Sequence, residues 1–151
     1  MSGLAMGMVL QAALLVSGAD PYAEAREAHL KDGKPFLVLV GADWCPGCVT
    51  MKNSTIPAMI RAGQLKGVHY ATVNYDENPA RARALMQGNM LPQLMIFSKT
   101  PDGWHREQIT GPTSSTAILG MMQRAIAAQA PKKPATTTVA ETPTLDKSSG
   151  N

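Results

Sequence analysis

Cysteine is scarce in this sequence: 151 residues contain two, Cys45 and Cys48, separated by two residues. A disulfide-stapled scaffold carries more cysteines, spread further apart. A structural zinc site needs four ligands, and His29, His69 and His105 lie far apart, none at finger spacing. Charge is sparse as well. Charged residues make up 17%, the formal net charge is +3, and no Lys/Arg run forms a basic stripe, so no nucleic-acid partner is expected. No apolar run reaches the ~20 residues of a membrane span, and no internal repeat is present.

The longest apolar stretch, Leu4 to Val16, is interrupted by Gly7 and Gln11 and ends at Ser17-Gly18-Ala19. A short apolar run followed by small residues fits an export signal over residues 1–19, although no Lys or Arg precedes it. A buried helix and an uncleaved anchor are the competing readings. The other terminus, residues 131–151, is rich in Pro, Thr, Ser, Ala and Lys and poor in large apolar residues. Such a composition does not offset its ordering entropy, so a disordered tail is expected. One domain, residues 20–130, lies between.

Asp20-Pro21 predicts a helix start, and Gly33 a stop after Lys31. The unbroken apolar run Phe36 to Val40 predicts a strand buried on both faces. After Gly41 to Trp44 comes Cys45-Pro46-Gly47-Cys48, with a helix expected from Pro46 to about Ser54, an interruption at Pro57, and a continuation from Ile60 to Leu65. Val68 to Asn74 alternates as a strand. Asn78-Pro79 opens a helix running to Gly88. Gln93 to Ser98 and Trp104 to Ile109 form a hairpin about the turn at Pro101 to Gly103. A last helix places Ile118, Leu119, Met122 and Ile126 on one face. The order predicts an α/β fold: a mixed sheet of about four strands with helices on both faces.

A strand running into Cys-x-x-Cys puts the first cysteine at a helix N-terminus. Unpaired N–H groups and the positive end of the helix dipole favour a thiolate there. Cys45 is therefore the expected nucleophile, with a lowered pKa. Cys48, one turn on, is the expected resolving thiol, which attacks the mixed disulfide on Cys45. Pro46 preorganises the first turn, and Gly47 adds freedom. A static disulfide, two idle buried thiols and a two-cysteine copper site assisted by methionine are the competing readings. Ten methionines are present, but Met86, Met95 and Met122 fall on expected core faces.

The run Gly33-Lys34-Pro35, then FLVLV and GADWCPGC, resembles the thioredoxin superfamily, and most nearly the thioredoxin-like C-terminal domain of DsbD-type membrane thiol reductases. Asp76-Glu77-Asn78-Pro79 and Leu91-Pro92 followed by QLMIF fall in the matching order. The resemblance spans about Asp20 to Ala130. It implies a cis Pro92 facing the cysteine pair, and a Leu91 backbone that pairs with an extended substrate segment. Trp44 would be a substrate shelf, with a purely structural place in the core as the alternative.

The resemblance has departures. Leu39 stands where many thioredoxins bury an acid, Thr72 where a lysine sits on the neighbouring strand, and Val49 where a lysine often follows the second cysteine. The motif is CPGC rather than CGPC. The implied activity is thiol–disulfide exchange with cysteine-bearing proteins, as a reductant outside the cytoplasm. A membrane thiol reductase is the implied electron donor, and no organic cofactor is needed. A monomer is expected. The alternatives are a non-catalytic binding or copper-handling module, and an intracellular thioredoxin if residues 1–19 are not a signal.

Overall fold

The computed structural model describes residues 18–131. The expected export signal and disordered tail lie almost wholly outside the described residues. No helix among these residues is long and apolar enough to cross a membrane.

Helix α1 (Pro21–Asp32) begins as its sequence predicts. The Asp20 carboxylate accepts from the Tyr22 N–H at 3.1 Å and the Ala23 N–H at 3.4 Å, and Gly33 closes the helix. Strand β1 (Phe36–Gly41) follows, buried on both faces until its last residue. The chain continues through α2 (Pro46–Thr50), one wide π-helical turn (Met51–Thr55) and α3 (Ile56–Arg61). It then forms β2 (His69–Asn74), α4 (Pro79–Leu85), β3 (Gln93–Thr100), β4 (Gly103–Thr110) and α5 (Ser115–Ala128).

The sheet order is β2-β1-β3-β4. Strands β1 and β2 are parallel, with Leu39 opposite Thr72, whereas β1 with β3 and β3 with β4 are antiparallel. This is the mixed four-stranded sheet expected. Alternation along β1 divides the core. Leu37 and Leu39 join Leu94, Ile96, Met59 and Ile118 on the α3/α5 side. Phe36, Val38 and Val40 join Val73, Met95 and Ala82 on the α1/α4 side. Each fully buried side chain of this size contributes about 1.5–3 kcal/mol, so the sheet holds the cysteine loop against a rigid floor.

Several boundaries differ from expectation. Pro57 does not break the helix. The Ile56 N–H reaches back five residues to the Met51 carbonyl, and this wider turn gives room for a proline ring that would otherwise clash with the preceding turn. The continuation ends at Arg61, before the expected Leu65, and α4 ends at Leu85, before Gly88. The face of α5 is rotated: Met121 and Ala125 are buried with Ile118 and Met122, while Ile126 is exposed.

Candidate active site

The last residue of β1 leads into the cysteine loop. The Cys45 N–H bonds the Ala42 carbonyl at 3.2 Å, and Cys45 then caps α2, with extended backbone at φ −96° and ψ 110°. Pro46 occupies the first turn, where its missing N–H costs nothing. Cys45 and Cys48 are joined in a disulfide, their Cα atoms 5.2 Å apart. The backbone N–H of Cys48 also points at Cys45 Sγ, 3.3 Å away. Both cysteines are buried: Cys45 is 7% exposed and Cys48 3%.

Two glycines make this packing possible. A Cβ on Gly41 would lie 2.9 Å from Cys48 Cβ. A Cβ on Gly47 would lie 2.5 Å from Pro112 Cγ and 3.4 Å from Pro92 Cδ. Gly47 is thus the point where the motif, the Pro92 loop and the segment leading into α5 converge. The Leu91–Pro92 peptide bond is cis, and Leu91 packs on the Ala42, Cys45 and Cys48 cluster. The structure therefore brings Cys45, Gly47, Cys48, Leu91 and Pro92 together, with Pro46 on the outer side.

Trp44 stands apart. It is 67% exposed, which rules out the core alternative. Its indole Nε1 donates to Asp76 Oδ2 at 2.8 Å, which fixes the ring beside the loop. Asp43 is exposed too, 3.5 Å from Lys52 Nζ, and accepts from the Asn74 amide at 3.2 Å.

Four contributors escaped the sequence reading: Gly41, Asp76, Gln93 and Pro112. Gln93 is fully buried directly after Pro92. Its Oε1 accepts from the Gln87 N–H at 2.9 Å and from Gln108 Nε2 at 2.8 Å. Its Nε2 donates to the Gln87 and Met90 carbonyls, each at 2.9 Å. One side chain thereby ties down the loop that presents Leu91–Pro92. The Gly111 N–H completes the clamp, bonding the Pro92 carbonyl at 2.8 Å. A polar residue heading the apolar run QLMIF was the available signal for Gln93. Pro112 had none, because its contact with Gly47 spans most of the domain.

A cleft of about 210 Å³ opens on the far side of Cys48. Leu39 and Thr72 line it from the sheet, with Asp43, Lys52 and Glu77 among its polar walls. Asp20 and Arg81 pair across its edge at 2.7 Å. The Arg81 guanidinium, by donating to Asp20, holds that carboxyl below its usual range. Among the described residues, no group of three or more His, Cys, Asp or Glu is arranged to hold a metal ion.

A comparison with curated proteins found no match. Among solved structures, a thioredoxin from Thermus thermophilus is 19% identical, with a TM-score of 0.58, over 72% of this chain and 86% of that one. Chloroplastic thioredoxin z is 20% identical, with a TM-score of 0.55, over 70% and 89%. A mutant thioredoxin from Halobacterium salinarum is 22% identical, with a TM-score of 0.51, over 66% and 81%. These likenesses establish the fold. A family model described as thioredoxin-like matches residues 19–99, more than half of the chain. With its sheet, its paired Cys45 and Cys48 and its cis Pro92 in place, the chain belongs to the thioredoxin-like family.

Proposed function

We propose that the protein is a thiol–disulfide oxidoreductase that reduces disulfides of protein substrates outside the cytoplasm, as the DsbD-type resemblance implies. The observation that carries this reading is the position of Cys45 Sγ. It caps a helix N-terminus and lies 3.3 Å from the Cys48 N–H. Partial positive charge there favours the thiolate that exchange requires.

In the reduced protein, the Cys45 thiolate attacks one sulfur of a substrate disulfide. A mixed disulfide forms, and the first substrate sulfur leaves as a thiolate and takes up a proton. Cys48 then loses its proton and attacks Cys45 Sγ. The second substrate thiolate departs, and the intramolecular disulfide seen here is the product. The substrate gains two electrons and two protons. With Leu39 and Thr72 at the sheet side of the cleft, the proton from Cys48 leaves through that cleft to water. Trp44, Pro46 and Gly47 frame the approach, and the Leu91 backbone pairs with an extended substrate strand beside Pro92.

A dithiol donor must return two electrons to the pair, and a membrane thiol reductase is the donor proposed. The protein acts as a monomer, with no organic cofactor, metal or nucleic acid. Trapping tests the reading. Cys48→Ser should accumulate mixed disulfides with partner proteins that dithiothreitol releases and that vanish when Cys45 is replaced as well. A Cys48→Ser protein that captures no partner overturns it. Sequencing the N-terminus of the mature protein checks export: an intact Met1 on protein recovered from the cytoplasm counts against the proposed location.

A further inference from the structure

Trp44 is held at two points. Its indole Nε1 donates to Asp76 Oδ2 at 2.8 Å, and its backbone follows Asp43, whose carboxylate is tied down in turn. Both ties lead to Asn74, the last residue of β2, which lies opposite Gly41 at the end of β1. Asn74 Oδ1 accepts from the Asp76 N–H at 2.9 Å. Asn74 Nδ2 donates to Asp43 Oδ2 at 3.2 Å and to Glu77 Oε1 at 3.3 Å. The bonds close a ring that runs from Trp44 through Asp76 and Asn74 to Asp43, and back along the chain to Trp44.

The chemistry of the amide explains why asparagine suits this place. A primary amide offers two N–H donors and one carbonyl acceptor in a fixed plane. Here each has a partner: two carboxylates on the nitrogen and one backbone N–H on the oxygen. The flipped orientation would set the oxygen against both carboxylates, so the network itself assigns the amide. Aspartate here would add a third negative charge beside Asp43 and Glu77, and leucine would offer none of the bonds. Lys52, 3.5 Å from Asp43 Oδ1, supplies a cation on this side. Without the amide, Asp43 and Glu77 repel, and the end of β2 loses its hold on the Asp76 backbone. Trp44 is 67% exposed, so packing fixes little of its ring and these polar ties set where it points.

We propose that Asn74 is a positioning residue for protein substrates. It acts through Trp44, holding the indole as a preformed apolar plate beside Cys45. A partner's apolar side chain next to the target disulfide then meets a surface that is already ordered. The inference rests on the exchange reading above, and it adds to that reading a β2 residue outside both the cysteine motif and the Pro92 loop.

A double-mutant cycle tests this, with insulin as the protein disulfide and dithiothreitol as the donor. Asn74→Ala should raise KM about fivefold, the cost of ordering one freed side chain on binding, and lower kcat by less than about twofold. Trp44→Ala should raise KM at least as much. Adding Asn74→Ala to it should change KM no further, because the residue through which Asn74 acts is gone. The chain has two tryptophans, so Trp104→Phe leaves Trp44 as the one indole. In that background Asn74→Ala should lower the fluorescence anisotropy of Trp44 and shift its Nε1–H resonance, a readout that needs no turnover. A KM that does not rise, a further rise in the Trp44→Ala background, or an unmoved indole overturns the proposal while the parent still reduces insulin. A parent that reduces no protein disulfide overturns the exchange reading itself, and the substrate role of Asn74 falls with it.

Discussion

The two ends of β1 are built by different means. At Gly41 the chain makes its site from backbone: a helix N-terminus, two glycines that admit close approach, and prolines that set the turns. At Phe36 it uses side chains: a cluster of rings around a buried histidine. Chemistry is concentrated at the first end, and apolar contact area at the second. Activity and stability should therefore separate along one strand.

The sharpest test of that separation pairs two substitutions. Cys45→Ser should abolish reduction of protein disulfides with dithiothreitol as donor, while the urea unfolding curve of the reduced protein stays close to the parent's. Phe36→Ala should do the reverse. Phe36 is buried and contacts Tyr22, His29 and Phe97. Its truncation should cost about 3–5 kcal/mol of stability, as large-to-small core changes do. Exchange per folded molecule should be unchanged. A Phe36→Ala protein that remains folded but exchanges slowly would show that the ends are coupled and break the comparison.

Gln93 tests whether the cysteine end depends on anything besides backbone. Gln93→Leu keeps an apolar strand but strips partners from the Gln87 N–H and the Gln87 and Met90 carbonyls. Leaving buried groups unpaired should cost about 1–3 kcal/mol. Because Gln93 acts through the loop bearing Leu91–Pro92, the KM for a protein disulfide should rise more than kcat falls. If kcat falls alone, Gln93 serves some other step.

The same contrast explains what the sequence disclosed. The cysteine end was legible because its parts are neighbours in the chain: a strand, four motif residues and a helix start lie within Phe36 to Thr50. The cis Pro92 came from the family resemblance, since spacing alone does not reveal a peptide bond's geometry. The aromatic end was not legible. His29, Phe36, Phe97 and Trp104 come from α1, β1, β3 and β4, and only the antiparallel register that sets Phe36 opposite Phe97 brings the last two strands to the first. Trp104, legible in sequence only as the first residue of a hairpin strand, is exposed. Helix ends were misplaced where a tertiary contact or a wide turn overrode a local signal, as at Pro57 and Leu85.

The smallest expected effect concerns the two carboxylates that bracket α1. Asp20 caps its N-terminus, where the helix dipole favours negative charge. Asp32 ends it, where the dipole opposes negative charge, yet its pKa is lowered from 3.8 to about 2. The main cause is the Lys34 N–H, which donates to Asp32 at 3.0 Å, followed by His69 Nε2 at 2.9 Å. His69 opens β2 opposite Phe36, so this interaction belongs to the aromatic end. A carboxylate with a depressed folded-state pKa stabilises the fold above its unfolded value of 3.8, and that contribution is lost as pH falls towards about 2. Asp32→Asn should therefore lower the urea midpoint slightly at about pH 6, with the gap to the parent closing as pH falls from about 4 to about 2. The effect is small because the pair is solvent-screened. Exchange through Cys45 should not change with it. A gap that persists at the acid end of that range would place the effect of Asp32→Asn in lost packing rather than charge, and a change in exchange rate would show the acid response reaching the cysteine end.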